Sequence, residues 1–390
     1  MSVFLHLAIV IFLLILPSKA LAITDPLSVP NNKLGIHLLF PNEVEKAARV
    51  VNNEGVGEWG YVVVPIQSTD RNHEKWQTFF DKCKEQKIIP IIRVATTATG
   101  PHWELPGEFD LVDFANFLSD LNWPVQNRYV IFLNEVNRID EFGGQIDPEK
   151  YADFLNQAID VFKGKSADFF ILPAGLDNAA NDKKTSLKWN LFLDRMWRRQ
   201  PDVFNKIDGW VSHAYPNPDF SSRPNNKGEN KINSFESDLN LLKKYTNKVL
   251  PIFITETGWS TKNLSEKQIG LYYHYAFEKV WNHPQIVTVA PFLLDAQDGP
   301  FVPFSFLDKN NKFKDFVNDF SFYSTKGDPI MPPIITLAPT QDNQVATDSS
   351  TQNLSVDASA SSPVLAVESE NYSFFKKIYN RIIQLFSLSK

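Results

Sequence analysis

From Leu34 onward, short apolar runs alternate with longer stretches in which apolar residues recur every three or four positions. The runs are Leu34–Phe40, Trp59–Ile66, Ile88–Val94, Arg128–Glu135, Asp168–Leu176, Ile207–Tyr215, Val249–Ser260 and Gln285–Asp295. Between them lie amphipathic segments at Asn42–Asn53, His73–Gln86, Glu108–Asp120, Pro148–Phe162, Thr185–Gln200, Ser234–Tyr245 and Ser265–Trp281. The runs are rich in β-branched and aromatic residues and too short for typical helices, so they read as strands. They hardly alternate with polar residues, which implies that both faces are covered and the strands pair in parallel. Eight such units in about 270 residues predict a closed α/β barrel, a single (β/α)8 TIM barrel, rather than an open doubly wound sheet.

The ends of the chain break this rhythm. Val3–Leu16 is apolar apart from His6, Pro17 ends it, and Ala20-Leu21-Ala22 supplies small residues at signal-peptidase spacing. Residues 1–22 therefore read as a signal peptide cleaved after Ala22, or as an uncleaved anchor, and the barrel as 23–328. Between Lys326 and Lys376 there is no Lys or Arg, and Ser, Thr, Asp, Gln, Ala and Pro dominate. That composition predicts a disordered linker at 329–370. Over 371–390, Phe374, Phe375, Ile378, Ile382, Ile383, Leu385 and Phe386 recur at helical spacing opposite Lys376, Lys377 and Arg381. This basic amphipathic helix either lies on a membrane surface or docks on the barrel or a partner.

Composition then narrows the chemistry. The 390 residues carry a net charge of −6 with no basic cluster in the barrel, which argues against nucleic acid as partner. Cys83 is the only cysteine, so no intrachain disulfide forms. Gly55, Gly57 and Gly60 match a dinucleotide fingerprint, but they follow a helix and enter a strand, the reverse of the required context. Neither His-x-His nor paired Cys occurs, and neither metal nor cofactor is expected.

In a barrel, chemistry gathers where strands end. The first strand delivers His37, the third Arg93, the fourth Asn134 and Glu135, the fifth Asp177 and Asn178. The sixth delivers His213 and Tyr215, the seventh Glu256 and Trp259, the eighth Asp295, Gln297 and Asp298. Asn-Glu occurs three times, yet only Asn134-Glu135 follows a strand. Glu135 and Glu256 are separated by three βα units and would face each other across one rim. Two carboxylates across a sugar-sized space are what glycoside hydrolysis requires. A cation such as Arg93 and the Tyr215 hydroxyl would hold Glu256 as carboxylate, leaving Glu135, with fewer donors, to carry the proton.

Asn-Glu ending the fourth strand, His-x-Tyr ending the sixth and Glu ending the seventh resemble the retaining glycoside hydrolases of clan A, over roughly Leu34 to Asp308. The resemblance implies Glu135 as acid/base, Glu256 as nucleophile and Asn134 as donor to the sugar 2-hydroxyl. It implies His213 and Tyr215 as positioners of substrate and nucleophile, with Trp259 as one wall of the sugar site; His37 and Arg93 join the substrate-binding set. Two features depart from the family. The second strand ends VVVPIQ without its Arg, and the eighth ends PFLLDAQDGPF without its Trp, leaving Phe292, Phe301 or Trp103 as substitutes. The expected protein is an exported, monomeric β-glycosidase or endo-β-glycanase acting on poly- or oligosaccharide, with carboxyl groups about 5–5.5 Å apart. The rival readings are a non-catalytic carbohydrate-binding barrel of the cell envelope and a barrel hydrolase of other bonds.

Overall fold

The computed structural model describes residues 23–28 and 32–317. The expected leader, linker and terminal helix lie outside these residues.

The eight expected strands are present and in order. They are β1 (Gly35–His37), β2 (Gly60–Gln67), β3 (Ile88–Ala95), β4 (Arg128–Phe132), β5 (Phe169–Pro173), β6 (Trp210–His213), β7 (Ile252–Glu256) and β8 (Ile286–Val289). The helices between them are α1 (Val44–Asn52), α2 (His73–Glu85), α3 (Asp110–Asp120), α4 (Pro148–Lys165), α5 (Trp189–Arg199), α6 (Phe235–Leu242) and α7 (Glu266–Lys279). Parallel pairing runs β1-β2-β3-β4-β5 in one arc and β8-β7-β6 in the other. Single parallel bridges close both seams, Leu34 with Val289 and Asp177 with His213. The barrel is therefore complete, as the strand count predicts.

The lack of alternation in the strands now has its physical reason. Tyr61 and Val63 of β2, Ile89 and Ile91 of β3, Tyr129 and Ile131 of β4, Phe170 and Leu172 of β5, Val211 and Phe253 share one cluster inside the barrel. Their neighbours Val62, Val64, Ile88, Ile92, Val130, Phe132, Ile171 and Ile254 belong to a second cluster with helix residues such as Val50, Phe80 and Leu118. Strands β2 to β8 thus each feed two apolar cores, so both of their faces are apolar, whereas β1 gives only Ile36 to the outer one. The lumen is filled rather than hollow. Tyr129 packs on Phe170 and Phe253 at centroid distances of 4.9 and 5.6 Å, and Phe170 on Phe253 at 5.7 Å. Asn127 Nδ2 donates to the Tyr129 hydroxyl at 3.0 Å, so the buried phenol is not left unpaired.

Helix ends follow local chemistry. Asn72, Asp147 and Ser265 each accept a backbone N–H of the following first turn. α5 begins at Trp189, four residues after the expected start at Thr185. The preceding loop is tied to Asn137, whose amide donates to the carbonyls of Asp177 and Leu187. A two-stranded hairpin, Ala98–Thr99 with His102–Trp103, stands in the loop after β3 and has no counterpart in the periodicity.

Gly35 sits at the β1–β8 seam, where an added Cβ would lie 2.7 Å from Thr288 Oγ1 and 3.1 Å from Val289 O. Gly35→Ala is expected to lower unfolding stability by about 1–3 kcal/mol through overpacking. A denaturant midpoint equal to wild type would show that the seam tolerates the methyl group.

Candidate active site

The same period-two register that fills the lumen also delivers polar groups to its C-terminal layer. His37 lies two residues after Gly35, Arg93 two after the inward Ile91, and His213 two after the inward Val211. Glu256 needs one further device. Ser212 pairs with Ile254 but His213 pairs with Glu256, so Thr255 is an extra residue on β7. Phe253 points inward and Ile254 outward; the extra residue turns Glu256 inward where strict alternation would have turned it away. At the end of β4, Leu133 and Glu135 adopt positive φ angles of 72° and 31°. Non-glycine residues seldom do so, and such backbone concentrates at functional sites.

These devices bring four of the expected residues into one constellation, with His37 beside it. His213 Nδ1 lies 2.9 Å from Glu135 Oε1 and 3.8 Å from Glu256 Oε2. Tyr215 donates its hydroxyl to Glu256 Oε2 at 3.0 Å. His37 Nε2 is 3.7 Å from Glu256 Oε1. One ligand-capable atom each from Glu135, His213 and Glu256 lies within 4.8 Å of the other two, a spacing that would also admit a cation. Asn134 is half-buried beside them, and its Oδ1 is buried without a hydrogen-bond partner. An orphaned acceptor of this kind is open to a ligand donor.

The two histidines are driven apart electrostatically. Burial disfavours charge on His213, but the Glu256 and Glu135 carboxylates outweigh it and hold its pKa above the ordinary value. Burial, with Arg93 and His213 nearby, drives His37 well below that value, so it stays neutral. Burial, then Glu256 and Glu135, push the Tyr215 phenol well up, and it remains a donor.

Three expectations need correction. Trp259 is not a wall of the cleft. It is 2% exposed, donates its indole N–H to Ser222 O at 2.8 Å, and packs on Tyr273 and Trp281. A fully covered indole presents no face to a ligand; it clamps the loop after β6. Arg93 makes no ion pair with Glu256 but faces His37, His213 and Glu141. Glu135 is not short of donors either. His213 contacts one oxygen, and Arg138 Nε stands 3.8 Å from the other.

Other site residues escaped the sequence reading. Arg138 joins Glu135 to Asp140 (3.0 Å) and Asp177 (3.1 Å). Its position three residues after Glu135 was a readable signal. Gly175 accepts the Glu135 N–H at 2.9 Å, and a Cβ there would sit 2.2 Å from His213 Nε2. Asp238 of α6 lies beside Ser212, Trp210 and Asn178, and burial pushes its carboxyl up to about 7. Of the candidates for the missing eighth-strand Trp, Phe292 packs on His37 at 5.2 Å and Phe301 on Phe292 at 5.1 Å. Trp103 instead belongs to the hairpin, its N–H bonded to Asp140 O.

No family model matches the chain, and no curated protein matches it in sequence. It is similar in structure to a family 39 glycoside hydrolase from the gut symbiont Bacteroides cellulosilyticus WH2, with TM-score 0.53 and 16% identity over 77% of this chain and 65% of that one. It thus spans about two thirds of that protein's length. It is also similar to a GH128 (subgroup II) endo-beta-1,3-glucanase from Sorangium cellulosum (TM-score 0.51, 13% identity, 75% and 98% covered). A GH5_18 from Bifidobacterium longum subsp. infantis is a third (0.53, 13%, 77% and 81%). At these identities the likeness is one of fold alone: a TIM barrel of the kind these glycoside hydrolases have.

Gly175→Ala should push the His213 ring away from both carboxylates, and the His213 imidazole should then titrate at lower pH by NMR; an unchanged titration would contradict the contact. Asp238 binds its proton more tightly folded (about 7) than unfolded (3.8). Wild type therefore loses stability relative to Asp238→Asn as pH rises from about 4 to about 7, reaching a few kcal/mol. Denaturant midpoints of both proteins at the two ends of that range measure it; a constant difference would show that Asp238 ionises normally.

Proposed function

We propose that the protein is a glycoside hydrolase that cleaves β-linked glycans with retention, using Glu256 as nucleophile and Glu135 as acid/base. The observation that carries this reading is the approach of Glu135 and Glu256 oxygens to within 4.8 Å at the ends of β4 and β7. That close approach supports a retaining pair, whose carboxyl groups stand about 5–5.5 Å apart, over an inverting pair at about 6.5–9.5 Å.

In this mechanism a Glu256 oxygen attacks the anomeric carbon while the bond to the leaving oxygen breaks and Glu135 gives that oxygen its proton. The covalent glycosyl-enzyme is then hydrolysed by water, whose proton returns to Glu135. Tyr215, by donating to Glu256 Oε2, orients the other oxygen for attack. Neutral His37 sits at that other oxygen without pairing away its charge. Protonated His213, in contact with Glu135 Oε1, supports the anionic state that Glu135 reaches after giving up its proton. Arg138 supports the same state from Oε2. Asn134, with its unpaired amide oxygen, is assigned to a substrate hydroxyl.

Export with cleavage after Ala22, a linker at 329–370 and surface contact through 371–390 belong to the same proposal, and the substrate is a poly- or oligosaccharide met outside the cytoplasm. N-terminal sequencing of the mature protein tests the first of these.

Product analysis on β-mannan, β-glucan, xylan and galactan, with NMR of the first-formed anomer, tests the chemistry. Glu256→Ala is expected to lower kcat by at least about 10⁴-fold, and Glu135→Ala by about 10²–10⁴-fold, more on poor leaving groups. Activity should survive a chelator, because the two-carboxylate mechanism needs no cation. Wild type and Glu256→Ala binding polysaccharide equally, with neither hydrolysing it, would leave a carbohydrate-binding barrel instead. An inverted product would overturn the nucleophile.

A further inference from the structure

Arg93 stands apart from the other covered arginines among the described residues. Arg71 donates to the Gln67 and Asp70 carbonyls and lies over the Phe114 ring, and Arg128 donates to Ser119 O and lies over Phe169. Arg138 meets three carboxylates. Arg93 is half-buried with no ion pair, no hydrogen bond and no ring beneath it, and its Nε is fully covered without a partner. A guanidinium withdrawn this far from water is costly unless acceptors meet its fork.

Its place in the barrel says what can reach it. Arg93 pairs in register with Pro65 of β2 and Ile131 of β4, one inward step above Ile91. From there it faces His37 and His213 across the mouth, and Glu141 on the loop after β4. It thus belongs to the polar layer that holds Glu135 and Glu256, not to the filled lumen beneath. Its terminal nitrogens are not covered and open into the same cleft.

The neighbouring charges are already matched with one another. Glu135 is met by His213 at 2.9 Å and Arg138 at 3.8 Å, and Glu256 by Tyr215 at 3.0 Å and His213 at 3.8 Å. Asp140 and Asp177 are held by Arg138. Burial, then Asp140 and Glu135, push Glu141 up to about 8, so near neutral pH it does not cancel the guanidinium. Protonated His213 adds a second positive charge on the facing side. An anionic group entering beside Arg93 would gain forked, charge-assisted hydrogen bonds from a cation that is already desolvated. A neutral hydroxyl there would gain far less.

We propose that Arg93 is an oxyanion-binding residue of the cleft, and that the sugar held beside Glu135 and Glu256 carries a uronate carboxylate or a sulfate ester. The proposal rests on the glycoside hydrolase reading, but its test does not need turnover. Calorimetry or ligand-observed NMR at pH 7 compares glucose, mannose and galactose with their uronates and their sulfate esters, and the tighter of the two anionic sets identifies the group. The best anionic sugar is expected to bind at least about tenfold tighter than its neutral parent. Arg93→Met should abolish that difference, while Arg93→Lys, which keeps the charge but not the fork, should retain part of it. Stability separates this role from a structural one. Arg93 has no partner to lose, so Arg93→Met is expected to match or exceed the wild-type denaturant midpoint, and the anionic sugar should raise the midpoint of wild type only. Neutral sugars binding as well as anionic ones, a preference that survives in Arg93→Met, a marked loss of stability in that variant, or no sugar binding at all would each overturn the proposal. The two readings fail separately. Hydrolysis of neutral glycans with no anion preference removes only this one, and anion preference without hydrolysis removes only the enzymatic one.

Discussion

The arrangement of the barrel mouth depends on one imidazole held between two carboxylates. His213 touches Glu135 at 2.9 Å and stands 3.8 Å from Glu256, so each acid's charge is felt by the other through a shared cation. Two carboxylates this close would repel, and a cation placed between them offsets that repulsion. The rest of the site follows from making room for the ring. Residue 175 must lack a side chain, because a methyl group would occupy the place of the ring. The β5–β6 seam must close just there, through the Asp177–His213 bridge, so the ring is fixed by the wall of the barrel itself.

Around that centre, charge is graded by depth. Exposed pairs such as Arg195 with Glu149 and Arg199 with Asp153 contribute little. The covered acids behave differently. Burial, reinforced by Asp140 and Glu135, pushes Glu141 up to about 8, and burial alone dominates at Asp238. Protons held by these acids lower the negative charge surrounding Glu135 and Glu256. The mouth is thus less anionic near neutral pH than its carboxyl count suggests.

What the sequence made legible was whatever depends on neighbours along the chain. The strands declared themselves because all but β1 serve two apolar cores, and Glu135 and Glu256 stood out because a strand end must place a carboxylate somewhere polar. What it concealed depends on partners distant in sequence. Trp259 has the same residues on either side whether it faces a cleft or a core; only the Ser222 carbonyl, 37 residues away, decides. The inward turn of Glu256 comes from an extra Thr255 that no periodicity marks. Asp238 sits on a helix with nothing local to distinguish it from a solvated acid. Arg138 is the exception, a visible cation three residues after Glu135, carried on a turn rather than at a strand end.

The packed interior of the barrel has a consequence for traffic. Tyr129, Phe170 and Phe253 stop the lumen beneath the polar layer, so nothing passes through from the opposite end. In the proposed reaction a glycan would therefore come and go by the mouth alone. The departing fragment and the arriving water would share a single doorway.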